Sequence, residues 1–356
     1  MDYRTLGRTG LRVSPLTLGA MTFGEDWGWG TDPSTSHRLL DVYLDAGGNA
    51  IDTANAYTNG HSEKIIGDWL AAHPGRRDRL VLGTKFFWNL YVGDPNGGGT
   101  GRKAVIDQVE QSLRRLQTDY VDLLWMHDWD PFTPLEETLR VVDDLVRDGK
   151  VRYLGFSDAH AWVASEAQTI ARLRGWTPIT AFQLEYSLLA RTVEGEHLPM
   201  CDAHGIGVMT WSPLKNGRLS GKYRRGDEDP TEARRQSYAA GIPEAEWPII
   251  DELRAVAAEL GASPAATAIA WVEQHPRVSS TLVGARTVEQ LQSNLAALDI
   301  TFAPEHLDRL DAVSAPTLGF PAMYAGTSGM AQFAGATVDG HAHDVNPPLL
   351  SSATRY

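Results

Sequence analysis

The sequence predicts a (β/α)8 barrel, and two observations carry that prediction. Short runs of β-type apolar residues recur along the chain, and amphipathic stretches with helical spacing lie between most of them. This alternation predicts parallel strands joined by helical crossovers, and eight such units in a chain of 356 residues fit a closed barrel. Alternation by itself leaves an open, doubly wound sheet as the alternative. The eight runs are residues 16–18, 50–53, 80–84, 121–126, 153–156, 181–184, 207–211 and 281–283.

The elements that flank these strands are predicted from local patterns. Residues 3–14 alternate around Gly7 and Thr9-Gly10, which predicts a small hairpin that closes the N-terminal end of the barrel. Residues 102–116 place Val105, Val109 and Leu113 on one apolar stripe, and residues 135–147 repeat the pattern. Both segments are therefore expected to be crossover helices.

One domain is expected over residues 1–356, because no shift in composition marks a second one. Residues 214–243 lack periodicity, and so long a connection in a compact domain is usually functional or mobile. The tail over residues 315–356 is rich in Gly, Ala and Pro. It is interpreted either as a loosely ordered extension or as a segment that folds across the barrel mouth.

Charge and cysteine content exclude several classes of partner. The 32 Lys and Arg residues against 45 Asp and Glu residues give a net charge of −13, which disfavours binding to nucleic acid or to anionic membranes. Cys201 is the only cysteine, so neither an intramolecular disulfide nor a cysteine-based zinc site is possible, and no metal is predicted. A signal-peptide pattern and a membrane-length apolar run are both missing, which predicts a cytoplasmic protein.

Four polar residues follow or end three neighbouring predicted strands, where a barrel builds its active site. They are Asp52, Tyr57, Lys85 and His127. Each alone has an ordinary explanation, such as a helix cap or a solvated rim charge. Together they form a proton-transfer group, because a lysine beside a phenol stabilises phenolate and a carboxylate keeps that lysine charged. The phenol can then donate a proton near neutral pH despite a reference pKa of about 10.

Residues 47–54 read G-G-N-A-I-D-T-A and are followed by Tyr57, which resembles the G-x-x-x-D-T-A-x-x-Y signature of the aldo-keto reductases. The resemblance covers residues 3 to about 314. It implies a (β/α)8 barrel with a nicotinamide cofactor and a catalytic tetrad of Asp52, Tyr57, Lys85 and His127. The implied reaction is the NADPH-dependent reduction of an aldehyde or ketone, with Tyr57 as the proton donor and His127 orienting the carbonyl.

The same resemblance implies the residues around the nicotinamide. Residues 155–158 read G-F-S-D, where the family has G-x-S-N, so Ser157 is expected to bind the carboxamide. Asp158 stands in place of the asparagine, and a carboxylate can accept from the amide NH2 but cannot donate to its carbonyl. Gln183 matches a family glutamine at the same amide, although a side chain hydrogen-bonded inside the barrel is an equal alternative. Met21 is also implied at this site.

Two further segments are implied to bind the rest of the cofactor. Residues 211–214 read W-S-P-L and resemble the turn after the seventh strand, with Trp211 stacked on the nicotinamide; Lys222 is implied at the phosphates. After the eighth strand, a helix N-terminus favours an anion, and Arg286 suits the adenosine 2′-phosphate, which predicts NADP(H) rather than NAD(H). The cofactor residues of these two segments are Trp211, Ser212, Pro213, Leu214, Lys222, Gly284, Arg286, Gln290 and Asn294.

Aromatic residues crowd the predicted rim loops and suit an aryl or other apolar carbonyl compound, or the face of a sugar. The Gly-flanked pair Trp27 and Trp29 is interpreted as pocket wall rather than core. The candidate substrate residues are Trp27, Trp29, Phe87, Trp88, His127 and Trp129.

A second functional class stays open at this point. Residues 184–191 also resemble the β subunits of voltage-gated potassium channels, which share the fold and bind nucleotide. A nucleotide-binding regulatory module is therefore the alternative to a reductase, and a homo-oligomer is compatible with either. Turnover of NADPH with carbonyl substrates would distinguish the two classes.

Overall fold

A computed structural model of the chain describes residues 1–225, 242–351 and 353–354. The chain opens with the predicted hairpin, in which β1 (Arg4–Thr5) pairs antiparallel with β2 (Arg12–Val13). Eight parallel strands follow and close into a barrel, because the last of them pairs with both the first and the seventh. The closed barrel is therefore confirmed, and the open sheet is excluded. The barrel strands are β3 (Leu16–Gly19), β4 (Ala50–Asp52), β5 (Val81–Phe86), β6 (Val121–Met126), β7 (Val151–Ser157), β8 (Ile179–Glu185), β9 (Gly207–Trp211) and β10 (Val278–Val283).

Helices connect the strands, and their ends carry the expected capping residues. Asp32 accepts a hydrogen bond from the Thr35 N–H at 3.0 Å and so caps the first helix. Gly175 and Gly205 end two helices with left-handed φ values of 65° and 70°, a conformation that costs glycine little. The helices are α1 (Pro33–Asp45), α2 (His61–Ala72), α3 (Arg102–Leu116), α4 (Leu135–Arg147), α5 (Ala161–Arg174), α6 (His197–His204), α7 (Trp247–Glu259), α8 (Pro264–Glu273), α9 (Val288–Leu295) and α10 (Pro304–Val313).

The core has an outer layer between helices and strands and a smaller cluster inside the barrel. Leu6 and Val13 of the hairpin belong to the inner cluster, so the hairpin plugs the N-terminal end of the barrel as predicted. The fit is tight at Gly7, where a Cβ atom would lie only 2.6 Å from the backbone nitrogen of Gly207. Trp125 of β6 fills the interior further toward the C-terminal ends of the strands. A Cβ on Gly155 would lie 2.3 Å from its indole.

Several strands extend further than the sequence predicts. The predicted runs end at residue 84 and residue 156, whereas β5 and β7 include Lys85 and Ser157, and β8 continues beyond Gln183 to Glu185. Polar residues usually signal the end of a buried strand. These polar side chains are instead buried within the barrel wall and make hydrogen bonds there, so the strand continues past them.

The two irregular segments are described only in part. Residues 226–241, most of the predicted long connection, lie outside the described residues. The tail leaves α10 beside Arg191, whose guanidinium donates to Ser314 Oγ at 2.7 Å. Its coverage of the barrel mouth stays a prediction, as does the single domain. The tail's short elements are α11 (Ser328–Phe333), β11 (Thr337–Val338), β12 (His341–Ala342) and α12 (Pro347–Leu350).

Within the described ranges, no single helix is long and apolar enough to cross a membrane. The pair Glu244–Glu259 and Pro264–Glu273 reaches the required length and composition only when both are counted together, and the two are bent by 97° at their break.

Candidate active site

The four predicted catalytic residues converge at the C-terminal end of the barrel interior. Asp52 ends β4, Lys85 lies in β5, and His127 follows β6 directly. Tyr57 comes five residues after Asp52, at the start of a short 3₁₀ segment over Tyr57–Gly60. The Lys85 Nζ lies 4.8 Å from the centroid of the Tyr57 ring, and the His127 ring centroid lies 5.8 Å from that of Tyr57.

A buried ion pair forms the floor of the site. Lys85 and Asp52 are in direct hydrogen-bonded contact, and both are almost completely buried. Lys85 Nζ also donates to the Thr53 carbonyl oxygen at 2.9 Å. Burial alone would lower the pKa of Lys85, but the Asp52 carboxylate and the Tyr57 hydroxyl outweigh burial and raise it. Lys85 is therefore charged at neutral pH next to the phenol.

Gln183 completes the environment of this pair from the other side of the barrel. Its Nε2 donates to Asp52 Oδ1 at 3.1 Å, and the bond spans the interior because β4 and β8 lie opposite each other. The alternative interpretation of Gln183, a side chain hydrogen-bonded inside the barrel, matches this position. Burial pushes the pKa of Asp52 upward, while Lys85 and Gln183 oppose that shift by stabilising its anion.

The electrostatics of Tyr57 differ from the sequence-based expectation. Burial raises the pKa of Tyr57, and the opposing effect of Lys85 does not cancel it. The sequence argument weighed only the lysine, because the desolvation of the phenol depends on tertiary packing. Tyr57 is thus held fully protonated at neutral pH, which suits an acid. The effect of Lys85 falls on the phenolate that would remain after proton donation.

His127 is a neutral imidazole in this environment. Burial and the nearby Lys85 charge lower the pKa of His127 to about 3. Its Nδ1 is buried and makes no hydrogen bond to any part of the chain that the structure describes. A neutral imidazole carries one N–H donor, so His127 can donate a hydrogen bond to a carbonyl oxygen across the physiological pH range.

The residues predicted around the nicotinamide lie on the adjoining strands β7, β8 and β9. Ser157 pairs with Gln183 in the sheet register. The carboxylate of Asp158 accepts two hydrogen bonds, from Trp211 Nε1 at 3.0 Å and from Ser157 Oγ at 3.1 Å. Trp211 is half-buried at the end of β9.

Strained backbone marks the same rim. Phe87, Asp158 and Ser212 each come one or two residues after a site residue on a strand, and their φ values are 136°, 48° and 56°. Thr58 and Asn59, directly after Tyr57, have φ values of 47° and 58°. Residues other than glycine seldom adopt these conformations, and such strain concentrates at functional sites. This signal was not readable from the sequence.

The W-S-P-L turn continues in left-handed backbone, with φ values of 43° at Lys215 and 55° at Asn216. Pro213 is buried, Leu214 is half-buried and Lys222 is exposed. The ammonium of Lys222 lies 4.9 Å from the Tyr223 ring centroid, and its contact with the cofactor phosphates stays a prediction. Lys215, which the sequence analysis did not select, pairs instead with Glu185 at 2.7 Å.

The segment after β10 is held in shape by two of the predicted cofactor residues. The Arg286 N–H donates to Gln290 Oε1 at 2.9 Å, and Asn294 Nδ2 donates to the Gly284 carbonyl oxygen at 3.1 Å. The side chain of Arg286 is half-buried beside the N-terminus of α9 and lines a cavity of about 540 Å³. Met21, two residues beyond β3, is half-buried at the neighbouring strand end.

A model of the Aldo/keto reductase family matches residues 15–315. The chain belongs to this family. This aldo/keto reductase is therefore an oxidoreductase of a family that acts on small carbonyl compounds with nicotinamide cofactors.

Individual relatives carry several names. The reductase is 39% identical over 320 residues to "Uncharacterized oxidoreductase YrpG" of Bacillus subtilis, covering 87% of this chain and 95% of that protein. It is 37% identical over 335 residues to "Aryl-alcohol dehydrogenase [NADP(+)]" of Phanerodontia chrysosporium, covering 88% and 85%. It is also 38% identical over 324 residues to "Probable voltage-gated potassium channel subunit beta" of Oryza sativa, covering 88% and 96%.

Aromatic rings surround the cleft of this aldo/keto reductase on two sides. Trp27 makes an edge contact with Tyr57 at a centroid distance of 6.4 Å. The ring centroid of Trp29 lies 5.6 Å from that of Trp27. Trp29 is only 8% exposed, so it supports Trp27 more than it lines open space. Phe87 is half-buried, and the ring of Trp88 next to it lies 6.0 Å from that of His127.

The second aromatic group includes two residues that the sequence analysis missed. Trp129 contacts His160 at 5.2 Å and Trp162 at 5.4 Å, each in an edge-to-face arrangement. His160 and Trp162 follow Ser157 at the end of β7, and that position at the C-terminal end of a barrel strand was the available signal.

The residues of this rim fit a nicotinamide dinucleotide chemically. Trp211 offers a flat apolar face, Ser157 and Asp158 offer hydrogen-bonding groups for an amide, and Arg286 offers a forked cation for a phosphate. These groups lie at the ends of β7, β9 and β10, on the same rim as the tetrad. A cofactor held there would lie along one edge of the cleft and leave the aromatic loops for the substrate.

Proposed function

We propose that this aldo/keto reductase interconverts aryl aldehydes or ketones and their alcohols with NADP(H). The observation that carries the proposal is the convergence of Tyr57, Lys85, Asp52 and His127 beneath an aromatic rim. The aryl-alcohol dehydrogenase named among the relatives supports the same substrate class.

The tetrad residues divide the proton transfer among them. The nicotinamide, when bound, supplies or accepts the hydride. The neutral His127 donates a hydrogen bond that orients the carbonyl oxygen, and Tyr57 donates its proton to that oxygen as the alcohol forms. Lys85 stabilises the phenolate that remains, because its positive charge and its hydrogen bond act on the Tyr57 oxygen. Asp52 keeps Lys85 charged and fixed in position, so the pair is organised before the substrate binds.

The direct test follows NADPH absorbance with purified protein and a panel of aryl aldehydes, aliphatic aldehydes, ketones and sugars. We expect turnover with aryl carbonyl compounds to exceed that with sugars. Tight NADPH binding without turnover of any member would contradict the proposal and favour the nucleotide-binding regulatory module.

Arg286→Ala should reduce NADPH affinity about tenfold and leave NADH affinity nearly unchanged. The 2′-phosphate is the group that distinguishes the cofactors, and a charge-assisted bond contributes roughly 1.5–3 kcal/mol before solvent screening. A loss of about 1.4 kcal/mol corresponds to that tenfold change. Calorimetric titration of both cofactors measures the effect. Arg38, which lines the same cavity from α1, provides the control.

Arg38→Ala removes the same charge from this cavity, and we expect it to change NADPH affinity much less. Equal losses of NADPH affinity in the two variants would mean that the total positive charge of the cavity, and not a specific contact of Arg286, determines that affinity. A parallel loss of NADH affinity in Arg286→Ala would show that Arg286 supports the fold of this segment rather than the phosphate.

Trp88→Ala should lower kcat/KM for aryl aldehydes about tenfold and hardly affect small aliphatic aldehydes. Its ring lies beside His127 and is 53% exposed, so its removal costs aromatic contact with the substrate and little stability. Steady-state kinetics with benzaldehyde and butanal measure the selectivity. Phe132→Ala is the matched control, because Phe132 is a rim aromatic that is 93% exposed. Equal losses for both aldehydes would contradict the role of Trp88.

A further inference from the structure

Asp158 differs in charge from the asparagine that the family signature has at this position. Its backbone is left-handed with a φ of 48°, a conformation that Asp and Asn both tolerate. Both carboxylate oxygens are used, one by the Trp211 indole N–H and the other by the Ser157 hydroxyl. An asparagine could accept the same indole bond with its side-chain oxygen. The geometry therefore does not explain why a carboxylate is present, and the charge is what distinguishes the two residues.

The neighbouring Trp211 and Ser157 are the residues that the proposed function places against the nicotinamide. A nicotinamide ring carries one positive charge when it is oxidised and none when it is reduced. A fixed negative charge beside the ring therefore stabilises the oxidised form and leaves the reduced form nearly unaffected. A neutral asparagine at the same position makes no such distinction.

We propose that the carboxylate of Asp158, held by Trp211 and Ser157, shifts binding toward oxidised NADP⁺ and away from NADPH, compared with an asparagine at this position, and so makes bound NADPH the stronger hydride donor for carbonyl reduction. The proposal rests on the proposed function, since it requires the nicotinamide to occupy this end of the cleft. It concerns a property that the tetrad alone does not determine, namely the relative affinity of the protein for the oxidised and the reduced cofactor.

The charges around Asp158 do not cancel the effect of its carboxylate on the nicotinamide. Lys85 is a cation that acts on Asp158, and its ion pair with Asp52 offsets much of its charge. Asp128, after β6, adds a second negative charge on the same side, and Tyr57 is held protonated. Asp158 and Asp128 therefore leave an excess of negative charge at this end of the cleft.

The same surroundings make the effect dependent on pH. Asp158 is an exposed residue of the rim, but its carboxylate is packed against Trp211 and Ser157 and also feels the charges of Lys85 and Asp128. Desolvation of the carboxylate by these neighbours raises the pKa of Asp158 to about 6, while the bonds from Trp211 and Ser157 and the Lys85 charge oppose the rise. Above that pH the carboxylate is charged and favours NADP⁺. Below it the group is neutral and resembles the asparagine.

The test compares wild-type protein with Asp158→Asn, which keeps the shape and the indole acceptor. Calorimetry gives the Kd of NADP⁺ and of NADPH, and their ratio is the readout. Near pH 8 we expect the Kd of NADP⁺ divided by that of NADPH to be about tenfold higher in the variant than in wild type. Near pH 5 the difference should shrink to about twofold, because protonation of Asp158 removes most of the charge.

Two controls isolate the nicotinamide end of the ligand. The first control ligand is ADP-ribose 2′-phosphate, which is NADP(H) without its nicotinamide. Its Kd should be the same in wild type and Asp158→Asn. Asp26→Asn removes a carboxylate from another rim loop, where Asp26 contacts His61, and it should leave the ratio unchanged. A change of similar size in Asp26→Asn would overturn the inference, because it would reflect the net charge of the protein.

The outcomes separate this inference from the proposed function. If wild type binds both cofactors and Asp158→Asn leaves their ratio unchanged near pH 8, the inference is wrong and the proposed function stands. Loss of both cofactors in the variant also overturns it, since Asp158 would then be a structural support. If wild type binds neither cofactor, the proposed function itself is wrong and the inference falls with it.

Discussion

Tyr57→Phe should lower kcat for an aryl aldehyde by about 10²–10⁴-fold, the range that a positioned proton donor contributes. The variant removes only the hydroxyl and keeps the ring contacts with Trp27, His127 and Lys85. The fall should appear in kcat more than in KM, because the proton is transferred in the transition state and not on binding. Stopped-flow single turnover with saturating NADPH measures it without a contribution from product release.

The NADPH affinity and the thermal midpoint of Tyr57→Phe serve as its controls. Both should stay close to the wild-type values, since Tyr57 is not in the segment predicted to bind the phosphates. Full activity in this variant would show that the proton comes from another group. His127 would be the next candidate by position, although its low pKa makes it a poor acid at neutral pH.

Lys85→Met should destabilise the protein by about 3–5 kcal/mol, the usual cost of leaving one partner of a buried ion pair uncompensated. Asp52 would then be a buried carboxylate without its cation, although Gln183 would still donate to it. Its pKa in the folded state would rise above the unfolded value of about 3.9. The contribution of Asp52 to the stability of the variant would therefore be most favourable below that pH and would be lost as the pH rises through the folded-state pKa.

The double variant Asp52→Asn/Lys85→Met shows whether the single variant loses stability through its unpaired charge or through altered packing. It removes both charges, so it should recover a large part of the stability that the single variant loses and should show a flatter dependence on pH. Urea unfolding between about pH 5 and pH 8 measures both quantities. Equal stability of the single and double variants would contradict the role given to the buried charge. Neither variant should be active, because each lacks the cation beside Tyr57.

Local pattern was enough to predict the framework. Strand and helix segments were recognisable because apolar periodicity is a property of neighbouring residues, and α3 and α4 have the predicted bounds. The hairpin was also local, since Gly7 and the alternation around it are close in sequence. Strand ends were less accurate, because Lys85 and Ser157 are polar and yet lie within strands that the closed barrel continues.

The sequence was sufficient to predict that the four tetrad residues lie on one rim, whereas their further contacts and their protonation depend on tertiary packing. Asp52, Tyr57, Lys85 and His127 could be placed together because the carboxyl ends of parallel strands share one rim. The bond of Gln183 to Asp52 joins residues 131 positions apart across the interior, and only closure of the barrel creates it. The raised pKa of Tyr57 and the contact between Asp158 and Trp211 likewise depend on burial and on distances between separate strands, which no run of neighbouring residues encodes.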